Sequence, residues 1–232
     1  EKLGIEPRSI DAVVLTHCHY DHTGGLAEMV SAIGKTGLPV IGHPGLFRPH
    51  FATRPFLRPV GMMPGDSREN MEKAGACMYL ARGPFDLMPG LRTTGEVPRE
   101  TDFETPGVAF STIEDGTVIV DPLSDDISVV AKIEDRGLVV LTGCSHAGIV
   151  NIARHARSLS GENRIEGILG GLHLIEASEQ RIEKTARALT SLSPGWISAG
   201  HCTGFQAQVA LHRAFGDRFT PLHTGMRLVI GV

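Results

Sequence analysis

The sequence predicts a layered α/β fold, and three observations predict it. Two β-hairpin patterns stand side by side in the middle of the chain, the last third alternates strands with amphipathic helices, and the first strand runs into a polar turn followed by a helix. Sheets with helices laid on their faces bury the apolar side of every such element.

Residues 11–15 read as the first strand. A His-rich turn follows, then a helix whose apolar residues Leu26, Met29, Val30 and Ile33 fall at i, i+3, i+4 and i+7. Gly34 and Gly37 close it, and a short strand over 38–41 comes next. Residues 43–107 change character: Pro, Gly, Met, Phe and Arg dominate, and periodicity is poor apart from a helix around 69–76. Such a segment inside a compact domain is expected to be a lid-like, substrate-binding insertion. From Val108 the chain turns β. VAFSTI and TVIV flank Glu114-Asp115-Gly116, and ISVVAKI and LVVLT flank Glu134-Asp135-Arg136-Gly137, so both pairs read as hairpins. LVVLTGCSH then leads into a helix with Ile149, Ile152, Ala153 and Ala156 on one face. IEGILGGLH leads into one with Ile182, Ala186 and Leu189, and WISAGHC into one with Ala207, Ala210, Leu211 and Ala214 that stops at Gly216. A last strand is expected over 226–230. The whole of 1–232 reads as a single domain, with no repeat or low-complexity tract.

At 232 residues and 41% apolar, the chain can bury a sizeable core. Its formal charge of −4, from 22 Lys plus Arg against 26 Asp plus Glu, gives no footprint for nucleic acid or an anionic membrane. No apolar run is long enough for a transmembrane helix, and no signal peptide is visible. Cys18, Cys77, Cys144 and Cys202 form no CxxC pair, which points to a reducing, cytoplasmic setting. Three of them lie within two residues of a histidine assigned below to a site, although buried inert thiols are the plainer reading.

The stretch VVLTHCHYDHTGGL carries the chemistry. Burying His17, His19, Asp21 and His22 without partners costs roughly 2 kcal/mol or more per polar group, so something must bond to them. At a strand end, residues i and i+2 point to the same side, so His17 and His19 can meet on one ion. Asp21 and His22, beyond the strand, can face a second. Imidazole and carboxylate donors suit zinc, iron or manganese. Further donors stand directly after other apolar runs: Cys144 or His146 in LTGCSHAG, His173 in LGGLHL and His201 in AGHCTG. Repetition of this placement after successive strands is what argues for one site. His43, His50, His155, His212 and His223 read as ordinary core or surface residues.

HCHYDHTGG resembles the signature of the metallo-β-lactamase superfamily. TTGEVPRETDFE, DDISVVAKIEDRGLVVLTGCSHAGIVNIARHA, LGGLHL and AGHCTGFQAQVALHRAFGDRF extend the likeness in order to one branch. That branch comprises metal-dependent hydrolase-like proteins related to the archaeal 7,8-dihydropterin-6-methyl-4-(β-D-ribofuranosyl)aminobenzene-5'-phosphate synthase. The resemblance implies an αββα sandwich with a dinuclear metal site at one edge of the two sheets. It also implies several strands before the HxHxDH motif. Here only a short segment precedes His17, so the chain is expected to lack those N-terminal strands. Many members place a histidine in a turn that here reads Asp121-Pro122-Leu123-Ser124-Asp125-Asp126. His146 is expected to replace it, ahead of Cys144 and Asp126.

The expected metal ligands are therefore His17, His19, Asp21, His22, His146 and His201, holding two divalent ions, zinc first, with iron, manganese or magnesium as alternatives. Such ions lower the pKa of water to about 7 and polarise carbonyl or phosphoryl oxygens. Asp21 is expected to orient the nucleophile and His173 to donate a proton or touch the substrate. Gly170 and Gly171 are expected to let a ligand approach the backbone. The synthase resemblance implies another use of the ions, anchoring a diphosphate leaving group while an arylamine or aryl carbon attacks. Arg48, Arg54, Arg58, Arg68 and Arg99 are candidate phosphate clamps. The expected partner is a phosphorylated or pterin-like small molecule, acted on by hydrolysis or transfer, and homo-oligomerisation is left open. A generic ester, lactone or thioester hydrolase and a non-catalytic metal-binding fragment are the competing readings.

Overall fold

The structure is a computed structural model that describes residues 3–105 and 110–230. In chain order its first half holds β1 (Val13–Val14), α1 (Tyr20–Thr23), α2 (Leu26–Ile33), β2 (Leu38–Gly42), β3 (Phe51–Ala52), β4 (Arg58–Pro59), α3 (Arg68–Lys73), β5 (Ala76–Leu80), β6 (Asp86–Met88) and β7 (Leu91–Thr93). The second half holds β8 (Phe110–Glu114), β9 (Thr117–Val120), β10 (Val129–Ile133), β11 (Gly137–Leu141), α4 (Ile149–Ser160), β12 (Ile165–Gly171), α5 (Glu179–Leu192), β13 (Trp196–Gly200), α6 (Phe205–Phe215) and β14 (Phe219–Pro221). Two compact units divide the chain, one within Glu1–Arg82 and Pro106–Asp125, the other within Gly83–Thr105 and Asp126–Val232.

The first unit contains a parallel sheet in the order β1-β2-β5 and an antiparallel sheet in the order β4-β3-β8-β9. Leu26, Val30 and Ile33 of α2 and Met71 of α3 pack with Leu38 and Val40 of β2 in one apolar cluster. The helix stripe is narrower than its spacing predicts, because Met29 is 39% exposed. Asp66 caps α2 from a distant loop: its carboxylate accepts from the N–H groups of Gly25 (3.1 Å) and Ala27 (2.9 Å). The β8–β9 hairpin turns on Asp115-Gly116, both at positive φ (48° and 77°), as a two-residue type I′ loop requires. Val108 and Ala109, which the sequence assigns to the start of this hairpin, lie outside the described residues.

The second unit is built on a seven-stranded mixed sheet in the order β14-β13-β12-β11-β10-β7-β6. β11 to β14 run parallel to one another, while the β11–β10, β10–β7 and β7–β6 pairs are antiparallel. Ile149, Ile152 and Ala153 of α4, Leu189 of α5 and Leu211 of α6 share a core with Val140, Ile168 and Ile197 of the sheet. Each fully buried side chain of this size contributes about 1.5–3 kcal/mol of transfer free energy.

Three expectations are corrected here. Residues 43–105 are not an irregular lid: they supply β3 and β4 to the antiparallel sheet, β5 to the parallel sheet, and β6 and β7 to the seven-stranded sheet. β3, β4, β6 and β7 have only two or three residues each, too few to show a period of two, which is why the sequence conceals them. Residues 106 and 107 of that expected insertion lie outside the described residues. The helix around 69–76 ends at Lys73, and Ala76 opens β5 instead. No strand forms over 226–230. Phe219–Pro221 takes the edge beside β13, with Phe219 opposite Ile197, and Leu228 and Val229 are 40% and 65% exposed. Among the described residues no helix is long and apolar enough to cross a membrane.

Candidate functional site

In the first unit the HxHxDH motif follows β1, whose path is fixed by the Leu15 N–H donating to the Ile41 carbonyl at 2.9 Å. The next residues are pinned at several points. Cys18 N–H donates to Asp125 Oδ2 (2.9 Å), Tyr20 N–H to the Val60 carbonyl (3.0 Å), and Thr23 Oγ1 to the carbonyls of Cys18 and His19 (3.2 Å each). These bonds gather the imidazoles: the His17 ring lies 4.2 Å from that of His22 and 4.8 Å from that of His19, centroid to centroid. Thr16 Oγ1 sits 3.2 Å from His17 Nδ1, a contact that orients the ring. His17 and His19 are buried, His22 is half-buried, and Asp21 is exposed with Oδ2 3.5 Å from His22 Nε2.

Behind the motif lies a buried charge network that the sequence reading missed. Arg48 Nη2 pairs with Asp121 Oδ1 (2.5 Å) and Asp125 Oδ1 (3.4 Å), His50 Nδ1 pairs with Asp121, and His50 Nε2 lies 4.0 Å from Asp125 Oδ2. Both carboxylates and the His50 side chain are fully buried. Burial works to raise the Asp121 pKa, but His50, the Leu123 N–H and Arg48 together hold it down at about 2. In the structure Arg48 neutralises these two carboxylates. The ligand atoms of Cys18, His19 and His50 lie within 4.8 Å of one another. Burial first, and then the charge of Asp125, push the Cys18 thiol well above its ordinary range, so Cys18 is a packed neutral thiol. Arg54 is exposed, with its carbonyl accepting from Arg58 Nη1 at 2.6 Å.

In the second unit β11, β12 and β13 lie side by side and parallel, so their C-terminal turns share one edge. A non-glycine residue at positive φ stands in each turn: Ser145 at 62°, His173 at 42° and His201 at 53°. Such backbone costs about 1–3 kcal/mol per residue and persists only where surroundings hold it. The turns are laced together. Ser145 Oγ donates to the Gly171 carbonyl (2.6 Å), Gly171 N–H to Gly143 (2.9 Å), and the N–H groups of Leu174 and Ile175 to Cys202 (3.0 Å each).

Cys144 is the common neighbour on this edge. Its Sγ lies within 4.8 Å of a ring nitrogen of His146, of His173 and of His201, and of Cys202 Sγ. The His146 and His173 rings are 4.1 Å apart. His146 and Cys144 are buried, His173 and Cys202 half-buried, and His201 exposed. The Cys202 thiol is brought down to about 5, first by hydrogen bonding with Cys144, against burial, and further by His173. Sequence ranking had set Cys144 below His146; only the packing of three strand ends reveals its centrality.

The turn carrying Cys144 and His146 is held by groups that the sequence suggested for other work. Asp126 Oδ2 accepts from Ala147 N–H (2.9 Å), and Arg99 Nη1 donates to the His146 carbonyl (2.6 Å). Arg99 thus positions backbone, and no substrate role follows from its geometry. Glu104 caps α4 by accepting from Val150 and Asn151 N–H (2.9 and 3.0 Å), while Asn151 Oδ1 accepts from Glu100 and Thr101 N–H (3.0 Å each). Gly170 and Gly171 make room for neighbouring turns: a Cβ on Gly170 would meet Thr142 Oγ1, and one on Gly171 would meet Cys202 Sγ at 2.7 Å.

Imidazoles in the first unit, and imidazoles with thiols in the second, are donor sets that fit a transition-metal ion of borderline softness. The metallo-beta-lactamase superfamily model matches residues 1–139. The chain is 39% identical over 226 residues to a 7,8-dihydropterin-6-methyl-4-(beta-D-ribofuranosyl)-aminobenzene-5'-phosphate synthase of Methanocaldococcus jannaschii, covering 96% of this chain and 76% of that protein. An uncharacterized protein of the same archaeon is 31% identical over 227 residues, covering 98% of this chain and 80% of its own length. The crystal structure of Tm1679, a metal-dependent hydrolase of the beta-lactamase superfamily, superposes with a TM-score of 0.84 at 26% identity, covering all of this chain and 83% of that one. The fold expected from the resemblance is therefore present, and the chain belongs to the metallo-β-lactamase superfamily, related within it to a dihydropterin-linked synthase.

Proposed function

We propose that this protein is a metal-dependent enzyme acting on a phosphorylated or pterin-like small molecule, with His17, His19, Asp21, His22, His146 and His201 as ligands of two divalent ions, zinc foremost. The observation that carries this reading is the grouping of His17, His19 and His22 with ring centroids at 4.2 and 4.8 Å around His17. The 39% identity to the synthase supports the substrate class. When bound, the ions would supply Lewis acidity and a lowered pKa for water.

The chain's own residues have distinct tasks in this reading. Thr16 and the bonds to the Cys18–Thr23 backbone preset the imidazoles before any ligand arrives. Asp21, exposed and adjacent to His22, orients the attacking group and accepts its proton. Arg54, exposed at the surface, is a candidate for binding a substrate phosphate.

Hydrolysis and diphosphate-displacing transfer use the same residues, and the likeness to Tm1679 favours hydrolysis as the second reading. Metal analysis of purified protein, followed by assays on a phosphomonoester, a phosphodiester, a lactone and a pterin diphosphate, separates them. We expect transition metal in the protein and turnover of the pterin diphosphate with an arylamine acceptor. His22→Ala should abolish that turnover with the fold intact. A protein that cannot be loaded with metal, or unchanged turnover in His22→Ala, would overturn the proposal.

A further inference from the structure

We propose that the groove between α5 and α6 receives a second copy of this chain, the two copies being related by a two-fold axis. α5 joins β12 to β13 and α6 joins β13 to β14, and these three strands are parallel, so the two helices run side by side in one direction. The groove between them has a volume of about 430 Å³. Ile175, Ile182, Val209 and Ala210 give it an apolar lining, and Glu179 and Arg213 also face it.

These two charges stand at opposite ends. Glu179 opens α5, while Arg213 lies in the last turn of α6, about 10 Å along that helix from Gln206 in its first turn. Glu183, also on the groove, already pairs with Arg187 at 2.7 Å, whereas neither Glu179 nor Arg213 has an ion pair among the described residues. A two-fold axis perpendicular to the groove exchanges its ends, so each copy's Glu179 faces the partner's Arg213. One contact thereby forms two ion pairs, one at each end of an apolar strip. A small ligand would have to carry opposite charges at two distant ends to do the same, and a second copy supplies them by symmetry.

The same face carries apolar surface that association would hide. Phe205, beside Gln206 at the start of α6, is 75% exposed, more than any other large apolar side chain among the described residues, and Ile175 is 62% exposed. An exposed phenyl ring next to an apolar groove gives each copy a projection and a recess, as self-complementary docking requires.

Sedimentation velocity of the full chain over a range of protein concentrations tests the contact. We expect a reversible equilibrium between monomer and dimer. Glu179→Arg and Arg213→Glu should each weaken association by about tenfold or more, because the axis repeats every like-charge encounter. The double variant carrying both reversals should regain most of that loss, which a local disturbance by either substitution would not allow. A native chain that sediments as a monomer throughout overturns the proposal and leaves the groove to an occupant of another kind. A dimer that neither reversal weakens overturns it too, by placing the contact on a different face. So does a double variant no tighter than the single ones, since Glu179 and Arg213 would then not meet. Both charges are exposed, and circular dichroism checks that each variant keeps its fold. Should a reversal unfold the chain, Phe205→Ala decides: weaker association upholds the contact, and unchanged association overturns it.

Discussion

Arg99 reaches across to donate its guanidinium to the main-chain carbonyl of His146 at 2.6 Å. Its chain neighbours Glu100 and Thr101 donate to Asn151, and Glu104 caps the same helix. The TTGEVPRETDFE segment therefore works as a clasp on the turn that presents Cys144 and His146.

Removing the clasp's charged bond gives the first prediction. Arg99→Ala should cost about 1.5–3 kcal/mol, the range for a hydrogen bond to a charged group. It should also weaken metal retention by roughly 10–100-fold, as loss of outer partners of metal ligands does. Urea denaturation and competition with a chelator measure the two effects. A variant that keeps its stability and its metal, and loses only affinity for phosphorylated substrates, would restore Arg99 to the clamp role expected from the sequence.

The second prediction concerns pH. Asp121 is held at about 2 in the folded protein. A carboxyl in the unfolded chain titrates near 3.9. A depressed folded value means that the charged form stabilises the fold. The contribution, about 2.5 kcal/mol, is complete above the unfolded pKa and is lost as pH falls through the folded one. Asp121→Asn should therefore be about 2–3 kcal/mol less stable than the native protein near pH 7, and the gap should narrow between about pH 4 and pH 2. A gap of constant size across that window would show that Asp121 acts through packing alone.

Local chemistry explains which features were legible in the sequence. HxHxDH was readable because i and i+2 on an extended segment share a face, and His17, His19 and His22 do converge. The Asp115-Gly116 hairpin was readable because its loop demands two positive φ values. His50 was not: its meaning comes from Asp121 and Asp125, far along the chain. Cys144 was underrated for a similar reason, since its neighbours arrive from the ends of three different strands. Arg48 and Arg99 look like any surface arginine until their acceptors are known.

A third prediction isolates a remote cap. Asp66 accepts from Gly25 and Ala27 at the start of α2, and that start directly follows the Asp21-His22 turn. Asp66→Ala should cost about 1–2 kcal/mol, since a capping carboxylate with two N–H partners lies at the upper end of the usual range. Asp66→Asn should recover part of that loss, because its amide oxygen can still accept. Thermal denaturation of the two variants checks this ordering; equal losses would mean that the charge, and not the acceptor, is what α2 requires.

The fourth prediction rests on Gly171. A methyl group there would fall 2.6 Å from the Gly143 carbonyl oxygen and 2.7 Å from Cys202 Sγ. The first of these neighbours is backbone within the turn after β11, and cannot swing aside as a long side chain would. Gly171→Ala should therefore lose about 1–3 kcal/mol of stability through overpacking. Gly83→Ala, whose added methyl group meets nothing within 4 Å, is the matched control and should stay near the native value. Chemical denaturation compares them, and chelator competition then reads the second effect, because forcing the Cys144 and Cys202 turns apart should weaken bound zinc in Gly171→Ala and leave it unchanged in Gly83→Ala. Native-like stability and metal retention in Gly171→Ala would mean that the two turns shift freely, and that the close approach of the sulfurs is not fixed by the fold.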